Sequence, residues 1–284
     1  RVVADFVDGL GKRADLPLDA IGAKDILAWR ARMAERVSAG TVNRNLKILQ
    51  GAWTSASRVG LVDNNIVRAV ETLKADRNRT ERRAFALDEI RRILDVCSPD
   101  WKGMVLLGLY TGQRLRDIAE LGWNQIDTAK SEAYFIQRKT DARITVPLAR
   151  PVLEWLATVP APDRPDASLF PELSSMDQST LSRQFRDILE AAGIVRKKTK
   201  AEAAHAATGK GRSARRETSE VSFHALRHTA ASLLHDSGAG AAVAQAILGH
   251  QSDAVHRRYV HVETDQKRRA VEALPDVTKA GPKS

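Results

Sequence analysis

The stretch Lys74-Ala75-Asp76-Arg77-Asn78-Arg79-Thr80-Glu81-Arg82-Arg83 has no large apolar side chain, and this most constrains how the chain folds. A hydrophobic core cannot run through such a segment, so the apolar residues on its two sides must collapse separately. In 284 residues there is room for two cores. The reading is a helical domain over 1–75, a basic linker over 76–83 and a second domain over 84–284.

In the first domain Asp25-Ile26-Leu27-Ala28-Trp29-Arg30 begins an amphipathic stretch that Ser38-Ala39-Gly40 breaks. Thr41 is the expected N-cap of the next helix, whose apolar face is Val42, Leu46, Leu49 and Trp53. Thr41, Asn43, Arg44 and Lys47 then face outward, either as a solvated surface or as contacts for phosphates.

The second domain opens at Phe85, with Asp88 and Glu89 in the first turn of a helix that runs to Cys97, where negative charge suits the helix dipole. Trp101–Tyr110 is an apolar helix and Leu115–Leu121 a short one. The one clear strand signal is a hairpin, Ala133–Gln137 and Arg143–Val146 around the polar run 138–142. Helices are expected at Pro151–Val159, Ser179–Ala192, Ala225–Ser237, Ala241–Leu248, Gln251–His261 and Asp265–Leu274, with a long basic loop from Ile194 to Glu220. The fold class is therefore mainly α with a small antiparallel β-sheet.

The net charge of +10 calls for a polyanionic partner, a nucleic acid or an anionic membrane surface. The apolar run Met104–Tyr110 is far shorter than the ~20 residues a membrane span needs. The chain starts at Arg1 without an initiator Met or a signal-peptide pattern, so it reads as a fragment with upstream sequence missing; the expected location is cytoplasmic. Cys97, the lone cysteine, fits a reducing compartment and reads as a small core residue, not a nucleophile. His224 and His228 have the i, i+4 spacing of a zinc pair but lack the glutamate of H-E-x-x-H, and no cysteine cluster is available, so neither metal nor other cofactor is expected.

Four short segments carry reactive groups: Thr111-Gly112-Gln113-Arg114-Leu115-Arg116-Asp117, Arg138-Lys139-Thr140-Asp141, His224-Ala225-Leu226-Arg227-His228-Thr229, and Leu248-Gly249-His250 with Tyr259 following. Taken singly, each has an ordinary reading as a surface cation or a packing residue. Together they offer guanidinium, ammonium, imidazole and phenol groups with little acid, a set suited to a phosphodiester. Arginines clamp its nonbridging oxygens and stabilise a pentacoordinate transition state. A tyrosine can attack phosphorus, and a lysine or histidine can protonate the departing alkoxide.

The order R…K…H-x-x-R…L-G-H…Y over about residues 84–262 resembles the tyrosine recombinases of the phage-integrase type. The first domain is similar, more weakly, to that family's helical core-binding domain through Thr41-Val42-Asn43-Arg44 and Gly60-Leu61-Val62-Asp63-Asn64-Asn65; the family often has Asn-Pro where this chain has Asn64-Asn65. The resemblance implies that Arg114 and Arg227 are the clamp, Lys139 the general acid to the 5′ oxygen, and Tyr259 the nucleophile. It implies that His224 and His250 contact the phosphate, and that Asp117 supports the site from behind. It further implies a 3′-phosphotyrosyl intermediate without metal or cofactor. Two strand-exchange rounds would take place in a homotetramer on paired sites in double-stranded DNA, assembled from a monomer or weak oligomer, with accessory DNA-bending proteins as further partners. Integration or excision of phage or mobile-element DNA is the implied task, and no membrane is involved. The alternatives are a type IB topoisomerase-like enzyme and a noncatalytic DNA-binding module on the same fold. The basic loop, with Arg196, Lys197 and Lys198, either reaches the DNA backbone or is a solvated spacer. The tail after Tyr259 is expected to dock on a neighbouring protomer.

Overall fold

The computed structural model describes residues 1–74, 83–137, 142–160, 162, 164–196, 220–249 and 264–279. Contacts divide the chain into two compact units, the first holding residues 1–74 and the second 83–196 with 220–279.

The first unit is built on α1 (Val2–Leu10), α2 (Ala23–Arg36) and α3 (Ala39–Arg58). Each contributes one aromatic ring to a shared centre. Phe6 sets its ring edge-on to Trp29 at 5.5 Å and to Trp53 at 5.7 Å, the offset geometry that ring quadrupoles favour. Ile26, Met33, Val42, Leu46 and Leu49 close the core around them. The cap of α3 is Ser38, whose hydroxyl accepts from the Thr41 amide. The expected cap at Thr41 is thus one turn too late, because Ser38 is already extended and Ala39 and Gly40 are helical.

Asn43 is not free for phosphates. Its Nδ2 donates to the Leu73 carbonyl at 2.9 Å and its Oδ1 accepts from the Leu73 amide at 2.8 Å. Asn65 does similar work farther along α3, donating to the Gln50 carbonyl and the Thr54 hydroxyl while its Oδ1 accepts from the Val67 amide. These two asparagines hold the returning chain against α3. Arg44 and Lys47 remain exposed.

In the second unit α4 (Leu87–Val96), α5 (Pro99–Thr111) and α6 (Leu115–Ala119) precede a sheet of order β1-β2-β3. Its strands, β1 (Ile126–Asp127), β2 (Glu132–Gln137) and β3 (Ala142–Pro147), are all antiparallel, with Tyr134 opposite Thr145. Helices α7 (Arg150–Leu156), α8 (Pro171–Ser175), α9 (Gln178–Ala191), α10 (Phe223–Asp236), α11 (Ala241–Leu248) and α12 (Thr264–Glu272) follow. The sequence pattern did not point to α1, β1 or α8, which are short or lack clear periodicity. The hairpin tip and the helix expected at 251–261 lie outside the described residues, as does most of the basic loop.

From Gly103 to Thr111 helix α5 is buried on every side, as an apolar stretch without a polar face must be. A Cβ at Gly108 would come within 2.9 Å of both Phe223 and Leu226, so glycine there lets α10 lie directly on α5.

Residues 266–277 of the tail pack on their own unit. Ala270, Val271, Leu274 and Val277 are buried in the same core. The Tyr110 hydroxyl donates to the Pro275 carbonyl at 2.7 Å and accepts from the Val277 amide at 3.2 Å. Arg268 donates to the Lys130 carbonyl, and Arg150 pairs with Asp276. Four apolar side chains and a buried hydroxyl are satisfied this way within one chain.

Candidate active site

The site grows from the C-terminus of α5. Gly112 ends that helix in the left-handed region, at φ 63°. A side chain there would be strained, and its Cβ would fall 2.2 Å from Leu248 Cδ2. The glycine therefore lets the turn press against the end of α11. Gln113, next in line, is buried and donates through Nε2 to the carbonyls of Thr111 and Ile247. This locks the turn to α11, a role not apparent from a single glutamine in the sequence; its only signal is its place inside the T-G-Q-R segment.

Arg114 occupies the N-cap position of α6, and Asp117 sits one turn later with Oδ2 3.5 Å from Arg114 Nη1. The Asp117 side chain is 3% exposed and that of Arg114 29%, so the carboxylate lies behind the guanidinium, which keeps an open side. Arg227 enters from α10. It is 4% exposed, and its Nη1 donates to the Gly112 carbonyl at 2.7 Å. Burial, and then the like charge of Arg114, bring its pKa down to about 10, against the pull of Asp117.

One turn before Arg227, His224 is exposed and lines a cavity of about 530 Å³ with Arg114 and Asp117. Phe185, Leu189 and Phe223 give the cavity apolar walls. His224 and His228 meet edge to face at 4.9 Å. Among the described residues no group of three potential metal ligands exists.

The structure thus brings Arg114, Asp117, His224 and Arg227 into one neighbourhood. Lys139, His250, Tyr259, Lys197 and Lys198 lie outside the described residues. The described elements reach close to three of them. Strands β2 and β3 flank the hairpin tip that carries Lys139, while Gly249, left-handed at φ 68°, directly precedes His250. Arg196 is exposed at the last described position before the basic loop. Thr41, Asn43, Arg44 and Lys47 belong to the other unit.

Of the three tyrosines, Tyr110 is excluded as a nucleophile. Its hydroxyl is engaged by the tail, and burial pushes its pKa up to about 12. Tyr134 stands on β2 with its hydroxyl 3.4 Å from the Glu132 carboxylate. Cys97 is half-buried, and burial lifts its thiol to about 12, which keeps it from acting as a thiolate.

The sequence profile of the phage integrase family matches residues 83–266. The chain is 25% identical over 258 residues to the integrase of Escherichia phage lambda, a match covering 86% of this chain and 65% of that protein. It is 26% identical to the tyrosine recombinase XerC of Treponema denticola, across 90% of this chain and 84% of that one. A lambda integrase tetramer bound to a Holliday junction has the same fold, with a TM-score of 0.63 at 23% identity, over 92% of this chain and 72% of that one. The chain therefore spans about 65% of the length of the lambda relative. The arginine turn and the α10 histidine–arginine pair both fall within the matched residues, and the chain belongs to the phage integrase family.

Proposed function

We propose that this chain is the DNA-cutting part of a site-specific recombinase that breaks and rejoins duplex DNA through a 3′-phosphotyrosyl link. The observation that carries this reading is the pair of guanidiniums around the Gly112 turn. Arg227 is buried and repelled by Arg114, with Asp117 close to both, an arrangement that favours a bound anion. A phosphodiester supplies one, and the fork of each arginine matches its nonbridging oxygens.

In this reading the Tyr259 phenol gives up its proton, with His224 assisting, and its oxygen attacks phosphorus. The bond from phosphorus to the 5′ oxygen breaks, and Lys139 donates a proton to that oxygen. Arg114 and Arg227 hold the added negative charge of the transition state, and His250 hydrogen-bonds the same phosphate. The phosphotyrosyl bond conserves the energy of the diester, so a 5′-hydroxyl from a partner duplex reverses the chemistry on a new strand. Residues 1–75 would serve as the core-binding domain, with Arg44 and Lys47 on phosphates, 76–83 as linker and 84–284 as the catalytic domain. The working assembly would be a homotetramer on two DNA sites, in the cell interior where DNA lies, recombining phage or mobile-element DNA.

The test is a nicked duplex that traps the covalent complex. Parent protein should yield a protein–DNA adduct stable to denaturant, and Tyr259→Phe should bind DNA equally and yield none. Adduct formation by Tyr259→Phe would overturn the assignment of the nucleophile, and no adduct from the parent would overturn the activity.

A further inference from the structure

The chain enters the second unit through residues 83–85, and these are fastened to α10 on both sides of His224 and Arg227. Ahead of the helix, the Arg83 amide donates to the Glu220 carbonyl at 3.2 Å, and Arg83 Nε donates to the Glu220 carboxylate at 3.3 Å. Beyond Arg227, the Phe85 amide donates to the Thr229 hydroxyl at 2.8 Å, a buried bond. Between these points the Phe85 ring meets Phe185 edge-on at 6.5 Å, and Phe185 meets Phe223, the first residue of α10, at 5.1 Å.

Arg83 itself is fixed from the other side. Its Nη1 and Nη2 fork onto the two Glu89 oxygens at 2.6 and 2.7 Å, and Glu89 Oε2 also accepts from the Ala86 amide at the start of α4. The hydrogen bonds between them, and then their opposite charges, lower the Glu89 pKa and raise that of Arg83. An arginine that uses all three of its nitrogens on two carboxylates is pinned in position and direction in a way a lysine could not reproduce. The Thr229 hydroxyl in turn donates to the Ala225 carbonyl, so the bond from Phe85 bears on the turn of α10 between His224 and Arg227.

We propose that Arg83 is a positioning residue for DNA cleavage: with Glu89, Glu220 and Thr229 it braces α10 so that His224 and Arg227 are presented at fixed height and rotation. This rests on the proposed roles of those two residues. The brace is built where the interdomain segment ends, at the polar run that composition alone marks as linker. That run is thus part of the catalytic framework at its C-terminal end and not only a tether. The geometry needed at phosphorus is strict, and a displacement of about 1 Å in a catalytic group costs up to about 100-fold in rate.

The experiment compares parent protein with Arg83→Gln, Arg83→Lys and Glu220→Ala. Glu220 is exposed, so its replacement leaves the core intact and keeps the test open if an Arg83 variant folds poorly. DNA affinity should stay within about twofold, while the single-turnover rate of adduct formation on saturating nicked duplex falls about 10-fold or more for Arg83→Gln. Arg83→Lys should not restore the rate, and Glu220→Ala should lose a smaller, measurable part of it. Amide hydrogen exchange over residues 223–229 should speed up in all three, with that of α5 unchanged. In an Arg227→Lys background, Arg83→Gln should cost less than it does in the parent, since one of the two groups it positions is already gone. An unchanged cleavage rate in Arg83→Gln or Glu220→Ala, an equal loss in both backgrounds, or unchanged exchange in α10 would each overturn the brace. Absence of any adduct from parent protein would instead overturn the proposed activity, while the exchange measurement would still judge the brace.

Discussion

Replacing Arg227 by methionine should stabilise the free protein while abolishing cleavage. The side chain is 4% exposed, and its pKa has come down from the ordinary arginine range to about 10. At about 1.36 kcal/mol per tenfold change, that difference corresponds to roughly 3 kcal/mol of penalty for keeping the charge folded. Because the folded value lies below the unfolded one, the penalty is complete below about pH 10 and fades only as the pH rises above that toward the ordinary arginine range. At neutral pH it is present in full. Methionine has a similar length and no charge, so it removes the penalty, but it leaves the Gly112 carbonyl without its N–H donor at a cost of about 1–2 kcal/mol. The net gain is roughly 1–2 kcal/mol, or a rise in Tm of roughly 2–8 °C for a unit of this size. Thermal melts of DNA-free protein, followed by circular dichroism, measure it. The gain should be equal at pH 6 and pH 9, since neither lies in the window where Arg227 titrates. A melting temperature below that of the parent would refute the reasoning, by showing that the buried guanidinium earns more from its hydrogen bonds than it loses to desolvation.

Gly112→Ala forces a Cβ against Leu248 in a left-handed backbone. It should destabilise by about 1–3 kcal/mol in a denaturant titration and lower cleavage of bound DNA, because both arginines refer to that turn. Tyr110→Phe deletes the hydroxyl that receives the Val277 amide and donates to the Pro275 carbonyl. It should cost about 1–3 kcal/mol and open the tail to limited proteolysis near residue 275; unaltered cleavage patterns would contradict the tail's docking on its own unit. Cys97, its thiol lifted to about 12, should label slowly with iodoacetamide at pH 8 in native protein and rapidly once denatured.

Much of this molecule was legible from local pattern. The periodic apolar residues of α3, the acidic first turn of α4, the hairpin and the apolar run of α5 follow from spacings that depend on the chain's own geometry. The segments around Arg114, His224 and Arg227 could be singled out from residue types alone, since reactive side chains keep their identity whatever the fold. Sequence could not assign Asn43, which has the same outward position on α3 as a phosphate contact but spends both amide atoms on Leu73, thirty positions away. Nor could it assign Tyr110, Gln113 or Arg83, whose partners lie at Pro275, Ile247 and Glu220. The Tyr110 contacts of residues 275–277 were decided in the same way. Pattern within a helix or strand is set by the residues a few places along the chain. A hydrogen bond across a hundred residues exists only once the core has closed, and that closure set the buried Arg227 of α10 against the turn that carries Arg114.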